Sequence, residues 1–231
     1  MLLPSGLLPG RLLRRYKRFL ADIELVDGRT VTAHCPNSGS MTGCAVPGSP
    51  VLLSVSSKPS RKLPYTWELV QADGVWVGIN TSLTNRLARE GIENGTVAEL
   101  SGYEFLRGEV PYGAHSRLDF MLSGERGDCF VEVKNVTLVD GRRALFPDAV
   151  TIRGQKHLRD LMEITAAGKR GVIFFVVQRS DAESVSPAEM IDPEYGRLLR
   201  LAVGSGVEAI AYQAVVSPTE IRLSQRLPVI L

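Results

Sequence analysis

Ser116-Arg117-Leu118-Asp119-Phe120 and, thirteen residues on from Asp119, Val131-Glu132-Val133-Lys134 are the stretches on which the reading of this chain turns. Residues Phe120 to Leu122 and Cys129 to Val133 are apolar and β-prone. Between them Ser123-Gly124-Glu125-Arg126-Gly127-Asp128 is a polar turn, so the segment predicts a β-hairpin. Residues two apart on a strand share a face. Glu132 and Lys134 therefore lie together, and the hairpin brings Asp119 beside them. Two carboxylates on one face suit Mg²⁺ or Mn²⁺, which prefer oxygen ligands. A lysine in the same cluster orients a water or stabilises charge developing on a phosphate. The layout is thus that of a metal-dependent phosphodiesterase site. The plainer alternative is a solvated ion pair on a strand face. The apolar neighbours Phe130, Val131 and Val133 argue for a central strand, where charges cost energy unless paired or metal-bound.

Outward from this hairpin, the chain divides in two. Residues 1–81 read as β: Phe19 to Leu25, Thr30 to His34, Val51 to Ser56, Trp67 to Gln71 and Val75 to Ile79, with Asp27-Gly28 and Asp73-Gly74 as hairpin turns. Five short strands and no helical pattern predict an OB-like barrel, a fold that often binds nucleic acid. Residues 82–231 mix helices and strands. Ser82 or Thr84 caps a helix carrying Leu83, Leu87 and Ile92 up to Gly95. Gln155 to Ala167 is amphipathic, with Leu158, Leu161, Met162 and Thr165 inward and Gly168 as the stop. Val172 to Val177 is unbroken apolar sequence, the pattern of a strand covered on both faces. Tyr195 to Val203 is a further helix, and Ala209 to Val216 and Glu220 to Leu223 are closing strands. The expected class is α+β in two domains: an OB-like β-barrel, then an α/β mixed-sheet domain.

Composition sets limits. A chain of 231 residues with 44% hydrophobic content can build a sizeable core. No run of about 18 apolar residues suggests a membrane span. Three cysteines, Cys35, Cys44 and Cys129, are too few and odd in number for a disulfide framework, which suggests a reducing cytoplasm. Charge is uneven. Residues 1–80 hold nine Lys/Arg and five Asp/Glu, whereas residues 81–231 hold eighteen and twenty. Arg11, Arg14, Arg15, Lys17 and Arg18 precede the first acid, Asp22. A basic front half suits a polyanion such as DNA; cationic strand edges guarding against aggregation are the alternative.

Three other stretches carry polar chemistry. His34-Cys35-Pro36-Asn37-Ser38-Gly39-Ser40-Met41-Thr42-Gly43-Cys44 lacks a fourth zinc ligand at standard spacing. It reads as a loop approaching a phosphate or base, or as a tight barrel corner. Asp148, Arg153, Lys156 and His157 cluster at the entrance of the amphipathic helix, where backbone N–H groups favour anions; an ordinary solvated helix start is the alternative. Glu109 precedes Asp119 and is a further metal carboxylate or an exposed loop acid.

Taken together, Ala33 to Met41, Ser116 to Phe120, Val131 to Leu138, and Phe146 to Thr151 with Arg153-Gly154 and Lys156-His157-Leu158 resemble the sugar fermentation stimulation protein A family, in order and over almost the whole chain. The resemblance implies an OB-fold domain followed by a PD-(D/E)xK nuclease-type domain. It also implies DNA binding without strong sequence preference and a regulatory role in sugar, particularly maltose, metabolism. Residue by residue it makes Asp119 and Glu132 the metal carboxylates and Lys134 the motif lysine. Leu118 stands where the signature's name expects proline. The upstream helix acid has three candidates, Glu90, Glu93 and Glu99. The expected site is therefore Asp119, Glu132 and Lys134 for catalysis, and Asp119, Glu132 and Glu109 for Mg²⁺ or Mn²⁺. The expected DNA contacts are Arg11, Arg14, Arg15, Lys17, His34, Asn37, Ser38, Arg117, Lys156 and His157. A DNA-binding regulator on a nuclease fold that does not cut is the competing function.

Overall fold

The computed structural model describes residues 1–58, 60–113 and 116–231. Six strands form the N-terminal sheet: β1 (Leu8–Tyr16), β2 (Leu20–Leu25), β3 (Thr30–His34), β4 (Pro50–Val55), β5 (Tyr65–Ala72) and β6 (Val75–Gly78). Their order is β3-β2-β1-β4-β5-β6, and β3 also pairs with β5 at Ala33–Tyr65 and His34–Thr66. That last pairing closes β1 to β5 into a five-stranded barrel and leaves β6 outside it on β5. Leu12, Ile23, Ala33, Val51, Leu53 and Trp67 fill the barrel.

The sequence reading omitted β1. Pro9 and Gly10 punctuate it, and its cations look like solvated chain. In fact it lies between β2 and β4. Gly10 permits this, because a Cβ there would meet the Glu24 carbonyl oxygen at 2.8 Å. Arg11, Arg14 and Arg15 of the basic run therefore lie on a strand inside the sheet, which corrects the reading of them as a strand edge, while Lys17 and Arg18 belong to the turn that follows.

The second half comprises α1 (Thr84–Glu93), β7 (Phe105–Tyr112), β8 (Ser116–Ser123), β9 (Cys129–Val136), β10 (Leu138–Asp140), β11 (Arg143–Phe146), α2 (Ile152–Ala166), β12 (Arg170–Val177), β13 (Ser184–Pro187), α3 (Pro193–Gly204), β14 (Glu208–Val216) and β15 (Ile221–Leu227). The main sheet runs β15-β14-β12-β9-β8-β7, with β9, β12 and β14 parallel and the outer pairs antiparallel. Parallel neighbours need crossovers; α2 and α3 lie in them and cover one face with Leu158, Leu161, Ile164, Leu198 and Leu199. Helix α1 covers the other with Leu87, Ala88 and Ile92. Strand β12 is buried on both faces, as its apolar run predicted. Each such side chain contributes about 1.5–3 kcal/mol on burial.

Local details differ from the sequence reading. Asn80, not Ser82 or Thr84, supplies the cap before α1, accepting the Ser82 N–H at 3.1 Å. Ile164 takes the inward place on α2 given to Met162 and Thr165, which sit half-buried at its flank. Helix α2 starts at Ile152, earlier than Gln155, because Thr151 caps it through the Gly154 N–H. Glu109 is in strand β7, not a loop. Among the described residues, no helix is long and apolar enough to cross a membrane.

The two halves are locked together by polar contacts. The Asp148 carboxylate accepts the Met41 N–H at 2.9 Å, and its carbonyl accepts the Ser40 hydroxyl. Gly39 allows this approach, since a Cβ would overlap the Asp148 carboxylate. At the junction of the halves, Thr81 Oγ1 donates to the Pro36 carbonyl at 2.6 Å. Buried Arg179, just past β12, reaches Asp73 on the β5–β6 turn at 2.9 Å. The segment His34–Cys44 is thus a barrel corner that also docks the second half.

Candidate active site

The β8–β9 ladder ends at Phe120–Val131. The next residue on β8 is Asp119, whose side chain takes over the role of the missing strand partner. Its Oδ2 accepts the Val133 N–H at 2.7 Å, and its Oδ1 accepts Asn85 Nδ2 at 2.7 Å. From there β9 continues along β12 alone, with Glu132 beside Ile173 and Lys134 beside Phe175. The two strands part, and a cleft of about 880 Å³ opens above them.

Glu132 is only 3% exposed at its floor. Its Oε1 accepts Lys134 Nζ at 2.6 Å and is hydrogen-bonded to His157 Nδ1. Arg153 Nε lies 3.4 Å from His157 Nε2. Arginine only donates, so that ring nitrogen accepts and Nδ1 carries the proton given to Glu132. Glu132 Oε2 is buried and has no hydrogen-bond partner. Burial opposes ionisation of Glu132, but the Lys134 charge and the His157 hydrogen bond outweigh it and hold its pKa below the usual value. Asp119 is pushed the other way, first by burial and then by the Glu132 charge, despite its two hydrogen bonds. One carboxylate is thus held ionised while its neighbour resists ionising.

A divalent cation resolves this conflict, and the residues fit one. The orphaned Oε2 offers an oxygen ligand, and Asp119 brings a second carboxylate to the same cleft. Among the described residues, no group of three His, Cys, Asp or Glu side chains converges on one point. An ion here would be held by two carboxylates and would draw its other ligands from water or substrate, as Mg²⁺ commonly does. The zinc reading of His34, Cys35 and Cys44 has no such group behind it; Cys35 Sγ faces Met41 Sδ at 3.4 Å and Cys44 Sγ the Thr137 carbonyl at 3.8 Å.

The raised Asp119 pKa has a testable consequence. Its protonated form suits the fold, so that contribution is present at low pH and lost as pH rises through the raised value. Mg²⁺ should therefore raise Tm more at pH 8 than at pH 5. At about 100 times Kd the gain is ~2.7 kcal/mol, or about 5–10 °C for this chain size. Differential scanning fluorimetry at the two pH values checks it; equal shifts would contradict the coupling.

The walls are shared. The barrel contributes Arg15, Arg18, Asn37 and Ser38; Thr81 comes from the junction, and Asn85, Glu109 and Arg153 from the second half. Glu109 sits opposite Asp119 in a break of the β7–β8 pairing, with φ of 53° and its carboxylate 3.7 Å from Arg117. A left-handed glutamate in a strand is strained, a state that clusters at functional sites.

Of the expected DNA contacts, Arg15, Asn37 and Ser38 line the cleft. Arg15 is also a brace, donating to the carbonyls of Asn37, Gly39 and Ser40 at 2.8, 2.8 and 3.1 Å. Arg11, Arg14, Lys17, His34, Arg117, Lys156 and His157 lie outside its lining. Arg14 pairs with Asp22 at 2.8 Å, and Arg11 donates to the Gly48 carbonyl at 3.1 Å. His34 is half-buried on β3, with its pKa lowered by burial and by Arg61. Lys156 Nζ donates to Ser116 Oγ at 2.6 Å. His157 is buried against Glu132, which gives it an orienting role in place of a phosphate contact.

None of the three candidate helix acids reaches the cleft. Glu90 holds the Met1 amino group at 2.6 Å, Glu93 pairs with Arg89 at 3.2 Å, and Glu99 takes Tyr212 and Arg226 at 2.7 and 2.5 Å. The first turn of α1 faces the site, and the residue there is Asn85. Asn85 is the second residue of α1, at the end of the polar run Asn80-Thr81-Ser82 and Thr84 that signals it in the sequence, and it stands where an acid was expected. Arg18 was likewise missed.

This arrangement defines a class: an OB barrel joined to a mixed-sheet domain, with a pair of carboxylates where two strands part. The chain belongs to the sugar fermentation stimulation protein family. The family's models match residues 13–79, as the SfsA N-terminal OB domain, and 82–220, as the sugar fermentation stimulation protein RE domain. A sugar fermentation stimulation protein homolog of Pelobacter propionicus is 71% identical over 97% of this chain and 98% of that one. That of Geobacter metallireducens is 68% identical over the full length of both. The structure of Pyrococcus furiosus SfsA in complex with Ca²⁺ is 29% identical, covers 100% of this chain and 98% of that one, and superposes with a TM-score of 0.91.

Proposed function

We propose that the protein binds DNA in the cleft between its two halves and cuts it by divalent-cation-assisted phosphodiester hydrolysis. The partnerless Glu132 Oε2, on a carboxylate whose charge is felt by Asp119 in the same cleft, carries this reading. Asp119 and Glu132, with Glu109 at the rim, would hold Mg²⁺ or Mn²⁺, which would supply Lewis acidity to the phosphoryl oxygen and lower the pKa of a water. Lys134 gives one N–H to Glu132 and keeps others for the attacking water or a phosphate oxygen. His157 fixes the Glu132 carboxylate through Nδ1–H. Asn85 and the Val133 N–H fix that of Asp119. Arg15, Arg18 and Arg153 give the cleft cations for phosphates. Such contacts position a backbone without reading bases, which supports weak sequence preference. The Ca²⁺ complex of the Pyrococcus relative supports an oxygen-bound divalent ion. Any effect on sugar, particularly maltose, metabolism lies downstream of DNA, because arginines beside a carboxylate pair suit a phosphodiester better than a neutral sugar. Sparse free cysteines favour a cytoplasmic setting.

The test incubates the protein with supercoiled, linear and single-stranded DNA in Mg²⁺ or Mn²⁺, with a chelator control. Cation-dependent cleavage is expected, with affinity that falls steeply as salt rises. Binding without cleavage on every form would assign the cleft to a regulator that does not cut. Absence of binding would remove both.

A further inference from the structure

The basic run does not act as one patch. Arg11 and Arg15 are engaged with carbonyls and Arg14 with Asp22. Lys17 and Arg18 differ: among the described residues, neither side chain has a hydrogen-bond or ion-pair partner. They form, with Phe19, the tip of the β1–β2 hairpin, closed by the Tyr16–Leu20 pair. Both take left-handed backbone, with φ of 48° and 63°. Successive left-handed residues are ordinarily glycine or asparagine, since a Cβ there costs stability. The tip is nonetheless well held: the Phe19 N–H donates to the Lys17 carbonyl and the Cys35 N–H to the Phe19 carbonyl, each at 2.8 Å. Phe19 itself is 50% exposed, and Arg18 lines the cleft. The result is a fixed backbone presenting two uncommitted cations and a half-exposed aromatic ring, with Arg18 reaching the cleft and its neighbours flanking it on the turn.

We infer that Lys17-Arg18-Phe19 is a finger that grips single-stranded DNA at the cleft mouth, with Phe19 stacking on an unpaired base and the two cations holding flanking phosphates. Stacking on an aromatic ring plus a cationic track is the usual basis of single-strand binding. In a duplex the base faces are covered, so the ring has no partner there. The inference rests on the DNA reading above and names the strand form that the cleft prefers.

Fluorescence anisotropy tests it, using labelled oligothymidine of about 12 nucleotides and a blunt duplex of equal length. The full chain is compared with Phe19→Ala, Phe19→Trp and Lys17→Gly/Arg18→Gly. Phe19→Ala should weaken oligothymidine binding about tenfold and lower the single-strand to duplex ratio, and Phe19→Trp should restore it. The double glycine variant should keep a Tm at or above the parent's, because strain is relieved, and still lose affinity. A parent that binds both DNA forms but is indifferent to Phe19→Ala overturns the finger alone. A parent that binds neither form overturns it together with the DNA reading.

Discussion

Asp119→Asn is expected to lower the cleavage rate at least about a hundredfold while leaving the fold as stable as the parent or more so. Asparagine keeps the side chain's shape. Its oxygen still accepts the Val133 N–H, the contact at 2.7 Å that ends the β8–β9 ladder. What disappears is a negative charge that burial and Glu132 both oppose, together with the acceptor for Asn85 Nδ2, which an end-over-end turn of the Asn85 amide replaces by presenting its oxygen to the new NH2. Stability therefore holds or improves, most visibly above the ordinary carboxylate range, where the parent must ionise Asp119 in the fold. Catalysis moves the other way. A bound cation supplies several kcal/mol of charge stabilisation, and each 1.36 kcal/mol lost is a tenfold slower rate. Single-turnover cleavage and a melting curve on the same preparation separate the two effects. A variant that cuts at the parent's rate would remove Asp119 from the site.

Arg179→Met should cost about 3 kcal/mol of stability and lower Tm by roughly 6–12 °C. The guanidinium is 1% exposed. It makes two bonds of 2.6 Å to Asp181, one of 2.9 Å to Asp73 and one of 2.9 Å to the Thr137 carbonyl. Burial works against its charge, yet the bonds to Asp181 and Asp73 prevail and raise its pKa. Methionine fills much of the space, so the loss is electrostatic: the Thr137 carbonyl and Asp181 are left short of a donor. Asp73 is largely exposed and rehydrates, which places the cost at the low end for a broken buried pair. Because Asp73 belongs to the barrel, the variant also loosens one side of the cleft. Urea unfolding of parent and variant measures the difference; a change under about 0.5 kcal/mol, the range of an ordinary surface substitution, would contradict this role.

Much of this architecture was legible in local sequence. The Asp-Gly turns placed two hairpins, and the Val172–Val177 run identified β12. The spacing of Asp119, Glu132 and Lys134 brought the three residues together on the parting strands. Other features depend on the closed sheet and could not be seen locally. β1 is stabilised by pairing on both sides, which overrides its proline, glycine and cations. β7, β11 and β13 are short or rich in polar residues and form only because a neighbour supplies their ladder bonds. The fate of the basic residues was also hidden. Arg14 and Arg15 are adjacent in sequence, yet one turns to Asp22 and the other braces a loop 22 to 25 residues away. His157 looked like an exposed helix-start cation, but α2 packs it against Glu132.

The most direct test of the central claim is a calorimetric titration of Mn²⁺ into the parent, Asp119→Asn and Glu132→Gln. The structure predicts a saturable site in the parent and at least about tenfold weaker binding in each variant, since each removes one of two close carboxylate ligands. Equal Mn²⁺ affinity in all three proteins would contradict a cation site between Asp119 and Glu132.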